Sequence, residues 1–113
     1  MIPFKSLVEG LDPVLHERGR LAIVSALAAA PRLTFVELRD ALEMTVGNLS
    51  VHLQKLEEKG FVAIEKEFVG RRPRTNCQLT EAGREAFTQY LDRLEAIIRQ
   101  GRGGAGAGQG RTA

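Results

Sequence analysis

Between Thr45 and Gly60, Val46, Leu49, Leu53 and Leu56 recur at intervals of three, four and three residues, the spacing that lines one side of an α-helix. The other side carries Gly47, Asn48, Ser50, Val51, Gln54 and Lys55, mostly short and polar, where a solvated helix ordinarily mixes Glu, Lys and Arg. Thr45 suits an N-cap, since its hydroxyl can accept from a free N–H of the first turn, and Gly60 can take the left-handed conformation past the helix end. Upstream, Asp12 followed by Pro13 predicts a helix start, and the apolar run that follows carries this first helix to Ala30, where Pro31 stops it. Arg32 to Thr34 leave room for a very short strand. Thr34 with Glu37 is a capping box, and Phe35, Leu38 and Leu42 supply the buried stripe of a short helix behind it. Met44 then makes a tight connection to Thr45.

After Gly60 the period falls to two. Val62, Ile64 and Phe68 lie on one side of a first strand; Cys77 and Leu79 point inward from a second, with Asn76 and Gln78 outward. Between them "GRRPRT", Gly70 to Thr75, reads as a turn rich in Gly, Pro and Arg. Thr80 caps a last long helix that continues to about Gln100. The predicted order is helix, short strand, helix, helix, hairpin, helix: a mainly α (α+β) winged helix-turn-helix with a long C-terminal helix. The boundaries expected are an N-terminal extension over 1–11, a winged helix domain over 12–79, a dimerisation helix over 80–100 and a disordered Gly-rich tail over 101–113.

In that arrangement the helix from Thr45 to Gly60 is the recognition helix. Side chains short enough to let a helix enter a major groove and polar enough to bond base edges are what Gly47, Asn48, Ser50 and Gln54 supply, and Val51 can meet a thymine methyl. Thr45 and Lys55 suit phosphate, one at a helix N-terminus and one as a flexible point charge. His52 is expected to pack at the edge of the helix and donate to a phosphate, with a plain structural role as its alternative. Three arginines of the turn, Arg71, Arg72 and Arg74, are expected on the DNA backbone or in the minor groove.

Composition adds constraints. A chain of 113 residues with 43% hydrophobic and 27% charged content is one soluble globular domain. Its longest apolar run is too short for a bilayer, the N-terminus has no signal-peptide pattern, and the expected location is the cytoplasm. The net charge of +2 divides unevenly: residues 1–69 hold 8 basic and 10 acidic side chains (net −2), and residues 70–113 hold 8 and 4 (net +4). The single cysteine, Cys77, is expected as a reduced core thiol, and His16 as a surface or interface residue. No nucleophile with a base, paired carboxylates or metal-ligand cluster stands at usable spacing, so no enzyme and no cofactor are expected. The G-x-G-x-x-G at Gly101, Gly103 and Gly106 lacks a preceding strand and a following helix, and Arg102 and Arg111 can add at most non-specific attraction to nucleic acid. The rival function is a protein-binding scaffold, which has no need of three arginines on one turn.

"LHERGRLAIVSAL" and the stretch from "TFVELRDALEMTVGNLS" through "GRRPRTNCQLTEAGREAF" together resemble the small MarR-like and ArsR-like winged helix transcriptional regulators of bacteria and archaea. The resemblance covers roughly Leu11 to Ile98. It implies a homodimeric DNA-binding repressor or activator, with Thr45, Gly47, Asn48, Ser50, Val51 and His52 approaching DNA and the arginines on the wing. Many relatives place a basic residue where Val51 stands, and the metal-sensing Cys and His clusters of the ArsR type are absent. For the last helix, Phe87, Leu91, Leu94 and Ile98 form a heptad seam that Tyr90 and Ile97 widen. A second copy of the same seam is expected to bury it, the alternative being cover from the first helix or from Ile2, Phe4, Leu7 and Val8 of the same chain.

Overall fold

A computed structural model describes residues 3–103 of the chain. Its elements are α1 (Phe4–Glu9), α2 (Arg18–Ala29), β1 (Leu33–Thr34), α3 (Phe35–Leu42), α4 (Val46–Glu58), β2 (Val62–Val69), β3 (Arg72–Leu79) and α5 (Glu81–Gly101). The three strands form an antiparallel sheet in the order β1-β3-β2. This is a mainly helical winged helix fold with a small sheet and a long C-terminal helix, as the hydrophobic pattern predicts. No helix among the described residues is long and apolar enough to cross a membrane. The expected tail falls largely outside the described residues; of it, Gly101 belongs to α5.

One core joins every layer. Ile23, Val24 and Leu27 of α2, Leu38 of α3, Leu49, Leu53 and Leu56 of α4, Val62 of β2 and Cys77 and Leu79 of β3 are all buried in it. The capping box forms as expected: Glu37 N–H donates to Thr34 Oγ1 at 3.0 Å, and Thr34 N–H donates to the Glu37 carboxylate at 2.8 Å. The turn between α3 and α4 is tight because Glu43 takes a left-handed φ of 53°, so that its N–H and that of Met44 both reach the Arg39 carbonyl. Burial desolvates the Cys77 thiolate and the Glu57 charge opposes it as well, pushing this thiol up to about 11, so it stays a protonated core group.

The first expected helix is divided differently. Asp12 does accept from Val14 N–H at 2.8 Å, but the turn it starts does not continue into α2. Glu17 interrupts with extended backbone (φ −144°, ψ 135°) and becomes the N-cap of α2 by accepting from Arg20 N–H at 2.8 Å. The break lets Leu11 and Leu15 both enter the core, and Arg20 Nε donates to the Val14 carbonyl across it. The N-terminal extension carries helix α1. Helix α1 lies on α5 with Leu7 buried, while Phe4 and Val8 stay exposed, and Ile2 falls outside the described residues.

Four further expectations are corrected. Val46 is 52% exposed, because as the first residue of α4 it lies past the edge of the core that its stripe partners enter. Phe68 is 74% exposed, since the hairpin runs on beyond the core whose alternation it continues. Asn76, expected outward, is buried: its Nδ2 donates to Glu67 at 2.6 Å across the strands. Tyr90 belongs to the core and not to an outer seam, its ring 5.9 Å from the His16 ring and its hydroxyl sharing a 2.8 Å hydrogen bond with His16 Nδ1.

The junction between hairpin and α5 is held by three contacts. Thr80 Oγ1 donates to the Gly60 carbonyl at 2.6 Å and accepts from Gly83 N–H at 2.9 Å, and Thr80 N–H donates to the Phe61 carbonyl at 3.0 Å. Gly83 is required here, because a Cβ would collide with that same Phe61 carbonyl. Gly83→Ala is therefore expected to cost about 1 to 3 kcal/mol, the usual range for forcing atoms into a packed site. Gly101→Ala, whose Cβ meets nothing, should leave stability unchanged or slightly raised. Thermal melts followed by circular dichroism check both, and equal melting temperatures for the two variants contradict the close-packing account.

Candidate nucleic-acid interface

With Leu49, Leu53 and Leu56 in the core, the helical period turns the remaining positions of α4 outward, and Gly47, Asn48, Ser50, Val51, Gln54 and Lys55 are all exposed. Thr45 caps the helix by accepting from Asn48 N–H at 3.1 Å. A Cβ on Gly47 would meet nothing, and its φ is not left-handed, so neither packing nor backbone strain asks for glycine there. The Gln54 amide leans toward Glu58 Oε2 at 3.4 Å on the surface, a weak contact that solvent or a partner can replace.

His52 is placed apart from these. Its Nδ1 lies 3.4 Å from Arg20 Nη1 and 3.6 Å from Glu17 Oε1, and its ring presses so closely on Gly19 that a Cβ there would meet Nε2 at 2.6 Å. The residue docks the recognition helix onto the start of α2. The Glu17 carboxyl at this junction is held below its usual range, by the Arg20 N–H first and then by Gly19 N–H and the charges of His52 and Arg20, against the opposing effect of partial burial.

The wing is the β2–β3 hairpin. Val69 pairs with Arg72, leaving Gly70 and Arg71 as a two-residue connection in which Gly70 has the positive φ of 66°. Its three arginines are not equivalent. Arg74 Nε stands 3.4 Å from Glu67 Oε2, the oxygen that also takes the Asn76 amide, whereas Arg71 and Arg72 are exposed with no ion pair among the described residues. The strand register places Arg72 and Arg74 on the face of Glu65 and Glu67, and Lys66, Thr75, Phe68 and Pro73 on the opposite face.

That opposite face turns toward α4. Lys66 and Thr75 line an open cleft with Ser50, Gln54 and Glu57 of α4, over a floor of Phe35, Leu53 and Ile64. Lys66 is a candidate for this surface that the sequence reading did not include. Its signal is a charge in phase with Val62 and Ile64, where the alternation calls for an apolar side chain. Among the described residues no cluster of three or more His, Cys, Asp or Glu is placed to hold a metal ion.

Residues 20–98 match the family model described as winged helix DNA-binding domain. An uncharacterized protein of Methanocaldococcus jannaschii is 39% identical over 72 residues, covering 64% of this chain and 78% of that protein. Among solved structures, a transcriptional regulator homologue from Pyrococcus horikoshii superposes with a TM-score of 0.77 at 30% identity, over 86% of this chain and 94% of that one. A MarR family transcriptional regulator from Streptomyces coelicolor, solved in complex with DNA, gives 0.65 at 25% identity over 86% and 67% of the two chains. A mutant of MarR from E. coli, complexed with operator DNA, shares the fold at 24% identity with a TM-score of 0.68 over 86% and 69%. The chain belongs to the winged helix DNA-binding domain family and is a MarR-like regulator by fold, not an enzyme.

Proposed function

We propose that this chain is a homodimeric, sequence-specific repressor that acts in the cytoplasm by occupying pseudo-palindromic operator DNA. One observation carries the reading: an exposed helix face of short polar side chains stands beside the wing, with Ser50 and Gln54 sharing a cleft with Lys66 and Thr75, and Arg71 and Arg72 are exposed at the wing's turn. In this reading Asn48, Ser50 and Gln54 read base edges in the major groove, Val51 meets a thymine methyl, and Thr45, Gly47 and Lys55 seat the helix N-terminus and its flank against phosphates. Arg71 and Arg72 neutralise the backbone or enter the minor groove, with Lys66 between wing and helix. Arg74 contributes less, because Glu67 already faces it. His52 acts through the position of the helix. The complexes of related folds with DNA support this reading.

The dimer is proposed on α5. Leu91 is 43% and Ile98 50% exposed, and Phe87, Leu94 and Ile97 are only half-buried as they pack on the core. Helix α1 covers the flank around Gln89 and Arg93 and leaves this edge open. Two copies meeting on it place two recognition helices in successive major grooves, so half-sites should lie about 10 base pairs apart or a multiple of that.

Binding to a labelled duplex, measured by anisotropy over a range of salt, tests the DNA reading. Each neutralised phosphate contributes about 0.9 to the slope of log affinity against log salt, so Arg71→Ala and Arg72→Ala should each flatten it by about one unit and Arg74→Ala by less. An unchanged slope with all three replaced rejects the wing assignment.

Asn48→Ala should lose about 1 to 3 kcal/mol of discrimination at one base pair while affinity for random duplex barely changes. Selection from a random duplex pool identifies that base pair, and equal losses on selected and random DNA mean Asn48 only positions the helix.

Replacing Leu91 and Ile98 with Glu puts like charges into the α5 edge without touching the buried core. A dimeric parent should become a monomer in sedimentation and lose most operator affinity with its helical content intact. A variant that still dimerises places the interface elsewhere.

A further inference from the structure

The tip of the wing is apolar on both of its faces. Phe68, 74% exposed, stands opposite Pro73 on one face, and Val69, 48% exposed, stands beside Arg72 on the other. Free in water this arrangement is unfavourable, and nothing in the fold asks for it: the core ends at Ile64 and Cys77, and the strand pairs beyond them need only polar residues to stay soluble. An exposed flat strand end carrying an aromatic side chain is also a hazard for self-association, which solvated wings ordinarily avoid. The apolar tip is surrounded by positive charge. Arg71 and Arg72 flank it at the turn, and Lys66 follows Phe68 down the same face. The hairpin's own carboxylates lie off that face, Glu65 and Glu67 being on the other and engaged by Arg32 and Arg74, and the one carboxylate that lines the cleft beside Lys66 is Glu57 of α4, toward the base of the hairpin and away from the tip.

The occupant that fits such a tip is apolar in its walls and anionic along its rims. The minor groove of duplex DNA has that profile, with deoxyribose on either side and phosphates above. A folded protein partner large enough to hold both faces of the hairpin would instead need acidic residues round an apolar slot. Continuity also favours DNA, because the Phe68 face is the one that carries Lys66 and Thr75 toward Ser50 and Gln54 of the recognition helix. Phe68 stands two residues before Gly70, set back from the turn, which brings its ring against a groove wall while Arg71 leads at the turn.

We infer that Phe68 is a DNA-contacting residue of the wing, its ring packing against the deoxyribose wall of the minor groove between the phosphates met by Arg71, Arg72 and Lys66. The inference rests on the proposed DNA reading and adds to it a contact that is not ionic. Its energetic mark is therefore different from that of the arginines: it contributes affinity that salt does not screen.

The experiment separates the two. Phe68→Ala, at an exposed position, leaves folding intact and should weaken duplex binding about tenfold, the size of one aromatic side chain partly removed from water, at an unchanged salt slope. Because the chain contains no tryptophan, Phe68→Trp makes a single-tryptophan reporter. Its emission should shift to shorter wavelength and become protected from acrylamide when saturating duplex is added, while Phe4→Trp on the exposed side of α1 should not respond. Duplex binding that persists with Phe68→Ala at parental affinity and an unresponsive Trp at 68 overturns this inference and leaves the DNA reading standing. A parent that binds no duplex overturns both. A Phe68→Ala variant that changes its sedimentation in the absence of DNA assigns this tip to contact between copies of the chain and overturns the inference as well.

Discussion

Burial of one side of α4 is the constraint on which the rest of this structure depends. Leu49, Leu53 and Leu56 are closed off against α2, α3 and the base of the hairpin, each contributing about 1.5 to 3 kcal/mol by leaving water. A helix fixed that firmly by one side has no freedom in what its other side presents. Asn48, Ser50, Val51 and Gln54 face outward as a direct result, and they do so from a rigid element, which is what a surface that reads another molecule requires.

Around that helix the fold builds two joints, one at its middle and one just past its C-terminal end. At the α2 side, Glu17 serves as a cap and as the partner of Arg20 and His52, so one carboxylate both starts a helix and steadies the recognition helix against it. At the sheet side, Thr80 and Gly83 bring α5 against the backbone of Phe61, so the strand that ends the wing and the helix that leaves the domain turn as one piece. Tyr90 then ties α5 to His16 in the turn before α2. Helix, wing and α5 are thereby held in a fixed relation, so that in the dimer proposed on α5 the spacing of the two α4 helices would follow from the fold.

Charge is distributed with the same economy. The late excess of arginine is not spread over a surface but divided by the strand register, with Arg74 and Arg32 engaged by Glu67 and Glu65 on one face. Lys66 lies on the other face, and Arg71 and Arg72 at the turn remain outside any ion pair among the described residues. An exposed pair such as Arg74 with Glu67 adds little to stability. Its effect is to choose which face of the wing is positive.

The sequence by itself determined what local chemistry decides. Thr34 with Glu37, Thr45 and Thr80 mark helix starts because a hydroxyl or carboxylate three residues from a free N–H acts within one turn, and the stripe of Leu49, Leu53 and Leu56 follows from the helical period. The outward face of α4 and the basic wing were legible for the same reason, and with them the winged helix fold. Tertiary structure decided whatever depended on where the core ends. Alternation along β2 runs unbroken through Phe68, but the core stops at Ile64, so equal phases have opposite environments. The seam on α5 looked continuous, yet Tyr90 is claimed by His16 and one flank by Leu7, because residues 74 positions apart or on a separate N-terminal helix leave no mark in a local pattern. His52 likewise reads as one more polar position until Gly19 and Glu17 of another helix are packed against it. Period and capping are short-range and survive in the one-dimensional chain; the extent of a core and the partner of a side chain are set by elements that meet only when the whole chain has folded.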